Sequence, residues 1–231
     1  MELTASPDMA GLKQFMIRWF GGARPEWGMD PWDVPSYVPE PLAEVYRFAG
    51  RWPSNSANDR LPDSPAVFQN QDVLVRVADL VVTDGMVTFL EENQGVWQAR
   101  VEADNDDSAV WSNADSVWEE APDRFERLEC TLPHLLTTFC LQEITLGSAR
   151  VWAVYDPQWI ETLPLFINAE PIWLNGSYVY ARSGDDDQLS HSFWLSNEVL
   201  IMMSSGQYWL ATNRGALPGI NESDAPIHFI R

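Results

Sequence analysis

The chain has 231 residues, of which 45% are hydrophobic and 12% aromatic. This composition excludes a disordered tail and supports a large core, so we expect one folded domain. The formal net charge is −20, from 34 acidic and 14 basic residues. Such a charge argues against nucleic acid and membrane surfaces as partners, because both are anionic, and it makes a basic protein the natural complement. Alternatively, the acidity only keeps an aromatic-rich protein soluble.

Neither a targeting segment nor a cofactor site is apparent in the sequence. The first residues include Glu2 and no apolar run, so a secretory leader is not expected. No apolar run approaches the ~20 residues that span a bilayer. Cys130 and Cys140 lack the spacing of a metal-binding or redox pair. We therefore expect a cytoplasmic protein with reduced thiols and no cofactor.

Two helices are predicted near the N-terminus. The first starts at residues 6–8, Ser-Pro-Asp, which supply a capping hydroxyl and a proline where no N–H is needed, and it ends at the glycine pair 21–22. Its apolar face comprises Met9, Leu12, Phe15, Met16, Trp19 and Phe20. The second helix spans residues 39–50 and also has one apolar face.

Between these helices, residues 23–41 contain five prolines and predict an irregular arm on the surface. Trp27 and Trp32 lie within this arm. They either anchor the arm to the core or remain exposed for a partner.

Residues 87–101 predict a β-hairpin. Side chains of a strand alternate between faces, so Glu91 and Glu92 point to opposite sides and cannot act together as an acid–base pair. Each is expected to contact a partner or to make a hydrogen bond within the fold. Gly95 closes the turn at a position that requires a positive φ, and residues 96–101 return as the second strand.

An acidic region follows the hairpin. Residues 101–126 include nine acidic residues and one arginine, which gives −8 of the total −20. Asp104, Asp106, Ser108 and Asp115 occupy positions 1, 3, 5 and 12 of a calcium-loop register, but Ala109 replaces the glycine needed at position 6 and flanking helices are missing. We therefore expect no calcium site here.

Residues 91–97, EENQGVW, and residues 106–111, DDSAVW, resemble the signature of the SUKH superfamily. In the second motif, Ser108 and Ala109 replace the two prolines of the family pattern. The resemblance covers residues 39–147, because the helix at 39–50 is similar to the first family helix and residues 132–144 are similar to the closing helix. This family contains bacterial immunity proteins and fungal cell-wall synthesis regulators.

The C-terminal third is rich in predicted strands. A helix with one apolar face at residues 132–144, ended by Gly147, comes before them. Strands are predicted at residues 150–155, 172–174, 178–181, 192–195, 199–203 and 207–211, with turns at 175–176 and 205–206. The expected fold class is α+β, with a mixed, mostly antiparallel sheet and a few helices packed against it. We expect a single SUKH-like domain over residues 1–231, with a helix and arm at 1–38 and a strand-rich extension at 148–231.

The sequence shows no catalytic constellation. His134, His191 and His228 are isolated in sequence, so each is expected on the surface or at a helix start, and no metal site is expected. There is no glycine-rich phosphate loop and no GxSxG elbow. A hydrolase that uses scattered carboxylates would need two of them to come together. We therefore do not expect an enzyme.

The resemblance and the charge together imply an immunity-type protein that binds and neutralises a toxin domain by occlusion. The partner would be a basic toxin, often a nuclease, with no role for nucleic acid or membrane. The expected contacts are Glu92, Glu102, Asp104, Asp106 and Asp107, with Trp97 or Trp111 either as an aromatic anchor or packed in the core. The alternative, implied by the fungal members, is a regulatory protein-binding scaffold in cell-wall or signalling assembly.

Overall fold

The computed structural model describes most of the chain. The described residues are 9–22, 24–52, 65, 67–117, 121, 123–180, 190–222 and 225–230. The expected helix start at residues 6–8 and the last residue of the expected strand 178–181 lie outside them. In the described part, no helix is long and apolar enough to cross a bilayer.

Six α-helices and twelve strands are assigned in the described residues. The helices are α1 Met9–Trp19, α2 Glu40–Ala49, α3 Ala114–Val117, α4 Leu132–Leu146, α5 Pro157–Glu161 and α6 Pro164–Ile167, with short 3-10 helices at Pro25–Trp27 and Val77–Asp79. The strands are β1 Asp72–Leu74, β2 Val82–Thr83, β3 Met86–Glu92, β4 Gln98–Glu102, β5 Ala109–Ser112, β6 Glu126–Thr131, β7 Arg150–Val154, β8 Glu170–Gly176, β9 His191–Ser196, β10 Val199–Ser204, β11 Gln207–Thr212 and β12 Ile227–Phe229.

The strands form two antiparallel sheets. The first has the order β1-β3-β4-β5-β6, with β2 also beside β3, and the second has the order β12-β7-β11-β10-β9-β8. All the strand pairings are antiparallel. These sheets and helices confirm the α+β class and the strand-rich C-terminal part.

Helix α4 lies between the two sheets. It contacts α1, α2 and β6, and it also contacts β8, β10 and β11 of the second sheet. The prediction of one apolar face was too narrow, because 12 of its 15 residues are buried. A helix that packs on all sides carries no polar stripe. The Thr131 hydroxyl accepts a hydrogen bond from the His134 N–H at the start of α4, and Gly147 caps its end.

The second sheet is buried on both faces. Leu200 and Met202 of β10 pack into the same core as α4, whereas Val199 and Ile201 pack with residues of α5 and α6. Burial on both sides explains why β10 has a continuous apolar sequence instead of an alternating one.

The proline-rich arm has one tryptophan that is anchored in the core and one that is exposed, so each of the two alternatives holds for one residue. Trp27 is 3% exposed and belongs to the core, whereas Trp32 is 93% exposed. The arm is fixed to α2, since Met29 donates its N–H to the Tyr46 carbonyl at 3.0 Å. A Cβ at Gly28 would lie 1.9 Å from the Arg47 carbonyl oxygen, so only glycine allows this approach.

The central hairpin forms as predicted, with one correction. Gly95 has φ +74°, as the turn requires. However, a β-bulge interrupts β3 between Thr88 and Leu90, so Phe89 and Leu90 are both fully buried and strict alternation fails there.

Two predictions in the C-terminal third were wrong. Residues 175–176 do not form a hairpin turn, because Gly176 ends β8 and pairs with His191. A Cβ at Gly176 would lie 2.5 Å from the Thr138 hydroxyl oxygen, so the glycine serves close packing against α4. Residues 178–180 are not in a strand. The turn at residues 205–206 is confirmed, with positive φ at both positions.

Candidate functional site

The acidic loop between β4 and β5 is held in shape by its own polar groups. The Glu102 N–H donates to the Ser108 hydroxyl at 2.7 Å, and the Asn105 side-chain amide donates to the Glu102 carboxylate at 2.7 Å. The Asp107 N–H donates to the Asn105 side-chain oxygen at 3.1 Å. Ser108, which stands where the family pattern has a proline, thus fixes the loop through hydrogen bonds.

The same loop is fastened to the proline-rich arm and to α2. The Asp104 N–H donates to the Tyr37 carbonyl at 2.9 Å. The Asp106 carboxylate accepts a 2.7 Å hydrogen bond from the Glu40 N–H, the first residue of α2. The residue before that helix is Pro39, which supplies no side-chain cap, so Asp106 takes this role from 66 positions away.

An acidic groove of about 780 Å³ opens beside this contact. Its carboxylates belong to Glu40, Glu44, Asp106 and Asp107, and its apolar lining comprises Met9, Pro41, Leu132 and Pro133. The Glu40 carboxylate also forms a two-pronged ion pair with the Arg47 guanidinium, at 2.5 and 3.1 Å. Arg47 also attracts the Glu44 carboxylate, but within the described residues Asp106 and Asp107 form no ion pair, so the groove favours a cation.

The structure separates the sequence-predicted contact residues. Glu102, Asp104, Asp106 and Asp107 are exposed on the acidic loop, but only Asp106 and Asp107 line the groove. Sequence reasoning missed Glu40 and Glu44. Their i,i+4 spacing at the start of a helix was the signal, because it places both carboxylates on one face.

Glu92 and the two tryptophans lie elsewhere. The half-buried Glu92 carboxylate accepts hydrogen bonds from the Gln94 and Val96 N–H groups at 2.7 and 3.4 Å, so it stabilises the hairpin turn. Trp97 is only 7% exposed and packs edge-on against Tyr178, as the core alternative predicted. Trp111 is half-buried, on the strand between β4 and β6.

The hairpin tip has a structural role. The Asn93 side-chain amide donates to the Asn70 carbonyl at 2.9 Å, and the Asn93 N–H donates to the Gln71 carbonyl at 3.2 Å. This residue belongs to the EENQGVW motif and ties the hairpin to the segment before β1.

That segment is held in turn by a buried carboxylate. Glu143 of α4 is 0% exposed, and it accepts hydrogen bonds from the backbone N–H groups of residues 69–72 and from the Asn70 side chain at 2.9–3.1 Å. Burial raises the pKa of Glu143, and the N–H donors act in the opposite direction. Because all five partners are donors, the geometry fits the ionised carboxylate.

A second buried cluster joins both sheets to α4. The Asp72 carboxylate accepts hydrogen bonds from the Tyr178 hydroxyl and, at 2.6 Å, from the Gln142 side-chain amide. The Gln142 side-chain oxygen lies 2.7 Å from Nε2 of His191, and the Ser204 hydroxyl lies 3.1 Å from the same nitrogen. Since Gln142 donates to Asp72, its oxygen is the acceptor and Nε2 carries the His191 proton.

His191 corrects the expectation that every histidine lies on the surface or at a helix start. It is 6% exposed, and its Nδ1 is buried with no hydrogen-bond partner among the described residues. The sequence missed this because the strand was predicted at residues 192–195, whereas β9 begins at His191. His134 does lie at the start of α4, and His228 is exposed.

Burial shifts the two titratable groups of this cluster in opposite directions. It raises the pKa of Asp72 to about 7 and lowers the pKa of His191 to about 4. A raised carboxyl pKa contributes stability at low pH that is lost as the pH rises towards 7. A lowered imidazole pKa contributes stability above the unfolded value of 6.5 that is lost as the pH falls towards 4. As the pH rises from about 4 to 6.5, the stability lost through Asp72 is therefore offset by the stability gained through His191.

This cluster is closed to solvent, so a substrate cannot reach it in this conformation. Asp72, Gln142, Tyr178 and His191 are all buried, with at most 6% of each exposed. Among the described residues, no three His, Cys, Asp or Glu side chains are grouped so that they could hold a metal ion. The acidic groove is therefore the best candidate for a functional site.

Comparisons of the chain with protein-family models, with curated proteins and with solved structures found no match. The resemblance to the SUKH superfamily therefore stays a prediction that depends on residues 91–97 and 106–111.

Proposed function

We propose that this chain is a protein-binding module that neutralises a basic partner by occlusion and performs no catalysis itself. The observation that carries the proposal is the acidic groove, in which four carboxylates surround an apolar lining. In a chain of net charge −20, such a groove attracts a basic protein and raises the rate of association at low salt. The resemblance of residues 91–97 and 106–111 to immunity proteins favours a toxin domain as the partner.

The rigidity of the groove supports the proposal. One wall is the acidic loop, which is fixed by internal hydrogen bonds and by the Asp106 contact to α2. The lining also includes Leu132 and Pro133 of the buried helix α4. A site that is ordered before binding loses little conformational entropy when the partner arrives.

The geometry also divides the roles of the acidic residues. We assign direct contact with the partner to Glu44 and Asp107, which line the groove and are exposed. Glu102 and Asp104 lie on the same loop outside the groove, so they contribute to long-range attraction. Glu92 and Trp97 stabilise the fold and are no longer proposed as contacts.

The test is the rate of association with the protein encoded by the adjacent gene, measured at two ionic strengths. The double variant Glu44→Gln and Asp107→Asn should associate ~10-fold more slowly at low salt, and the difference should shrink at high salt because screening removes the attraction. These substitutions keep the shape of each side chain and leave the Asp106 cap intact.

A matched control removes the same charge elsewhere. The control is Glu170→Gln on β8 together with Glu198→Gln in the turn between β9 and β10. Glu198 lines a different cavity with Trp19, at the opposite end of α1 from Met9. The control should change the association rate much less than the groove variant. An unchanged rate for the groove variant, or an equal loss in the control, would show that the groove is not the contact surface.

A further inference from the structure

A second, smaller cavity adjoins the acidic groove. It lies between α1 and α2, has a volume of about 260 Å³, and is lined by Leu12, Met16, Val45 and Phe48 among others. Met9 and Glu44 line both this cavity and the acidic groove, so the two spaces are adjacent. The cavity is smaller than the ~300–1,000 Å³ typical of sites for whole small molecules, and it suits a single bulky side chain.

The charged residues differ between the acidic groove and the cavity. Four carboxylates line the acidic groove, whereas the rim of the cavity carries Lys13 and Arg47. The Lys13 ammonium lies 5.5 Å from the centre of the Phe48 ring, and the Arg47 guanidinium is paired with Glu40. A cationic group therefore fits the groove better than the cavity, and an uncharged apolar group fits the cavity.

We propose that the groove and the cavity receive one continuous segment of the partner protein. Basic side chains of the segment meet the carboxylates, and one bulky apolar side chain enters the cavity between α1 and α2. Met9 and Met16 line the cavity, and the flexible methionine side chain adapts to apolar groups of different shape. This inference rests on the proposed function and specifies the sequence that the partner presents.

The charge distinguishes this occupant from two others. Residues 1–8 precede the cavity in the chain, but they contain Glu2 and Asp8 and no lysine or arginine, so their charge opposes that of the groove. A second copy of the chain would bring another net charge of −20. A basic, amphipathic segment of a different protein is the occupant that the charges favour.

The test uses two synthetic fluorescein-labelled peptides. One contains lysines, serines and a single leucine, and the other has serine in place of that leucine. Wild-type protein should bind the leucine peptide about 10- to 100-fold more tightly, which corresponds to removing one leucine side chain from water. Both peptides should bind more weakly at high salt and to the groove variant Glu44→Gln and Asp107→Asn.

A pair of variants locates the leucine. Ala10 is an exposed residue that lines the cavity, so Ala10→Trp should abolish the preference for leucine and keep the salt-dependent binding of both peptides. Gln14→Trp makes a similar change at an exposed position of α1 that does not line the cavity, and it should behave as wild type. Circular dichroism verifies that both variants fold. If either variant does not fold, the comparison of the two peptides with wild-type protein still tests the inference.

The outcomes separate this inference from the proposed function. Equal, salt-dependent binding of the two peptides by wild-type protein would overturn the inference and leave the acidic groove as the contact surface. A leucine preference that survives Ala10→Trp would place the apolar contact elsewhere and would also overturn the inference. Failure of both peptides to bind, or binding that the groove variant does not weaken, would overturn both proposals.

Discussion

Replacing Glu143 by glutamine should destabilise the protein strongly, although the two side chains have nearly the same shape. The carboxylate accepts five hydrogen bonds, three on Oε2 and two on Oε1. An amide has one oxygen, so the best orientation keeps the three bonds on the Oε2 side. The N–H groups of Gln71 and Asp72 then face the NH₂ group and lose their acceptor.

The magnitude follows from these two orphaned donors. Asp72 is buried, so its N–H without a partner costs about 1–3 kcal/mol, whereas Gln71 is exposed and its N–H costs less; Glu143→Gln should therefore lower the free energy of unfolding by about 1–3 kcal/mol. For a chain of this size, 1 kcal/mol shifts the melting temperature by about 2–4 °C, which predicts a decrease of about 2–12 °C.

Differential scanning calorimetry measures the decrease, and amide hydrogen exchange localises it. Exchange at Gln71 and Asp72 should accelerate more than exchange in the second sheet. The control is Glu129→Gln on β6, the same chemical change at an exposed position, which should alter stability by less than about 0.5 kcal/mol. A melting temperature for Glu143→Gln equal to that of wild type would refute the assignment of Glu143 as the acceptor of these N–H groups.

Three further predictions follow from single positions. Gly95→Val should lower the free energy of unfolding, measured with denaturant, by about 1–3 kcal/mol, because a β-branched residue is strained at φ +74°. A Cβ at this position would have no neighbour within 4 Å, so the loss would come from backbone strain and not from a clash. A neutral result would mean that the turn changes conformation. Asp106→Ala should lower stability by about 0.5–2 kcal/mol and Asp106→Asn by less, because asparagine keeps an acceptor for the Glu40 N–H; equal losses would refute the capping role. Between about pH 4 and 6.5, the free energy of unfolding of His191→Gln, relative to wild type, should fall as the pH rises, and that of Asp72→Asn should rise. Each change should amount to at most about 1.4 kcal/mol per pH unit. Profiles with the same slope for both variants would contradict the opposite pKa shifts.

The elements predicted most accurately are those whose signals are local. Helix α2 was expected at residues 39–50 and occupies Glu40–Ala49, because its apolar spacing and the closing glycine lie within the helix itself. The turns at Gly95 and Gly206 were likewise predicted correctly, because each is determined by one or two residues with positive φ. Helix α5 was missed although Asp156 accepts hydrogen bonds from the N–H groups of Gln158 and Trp159, a capping signal that the sequence Asp-Pro does show.

The remaining features depend on residues that are distant in sequence. Glu143 and Gln142 lie within the helix predicted at residues 132–144, but they accept from Gln71 and donate to Asp72, respectively, about 70 positions earlier in the chain. Two of the four carboxylates of the groove, Asp106 and Asp107, were predicted as contacts because they belong to an acidic run in the sequence. The other half, Glu40 and Glu44, is on a helix whose orientation toward the loop no local pattern specifies.

The two ends of α4 carry different parts of the molecule. Leu132 and Pro133, at its start, line the acidic groove, whereas Glu143, near its end, holds the segment before β1. Eleven residues separate these positions, which is about 16 Å along a helix. Because α4 is buried along its length, the groove has a rigid support, while Glu44 and Asp107 are exposed on its surface. Substitutions at Glu44 and Asp107 therefore test binding without removing a core contact, whereas Asp106 both lines the groove and stabilises α2.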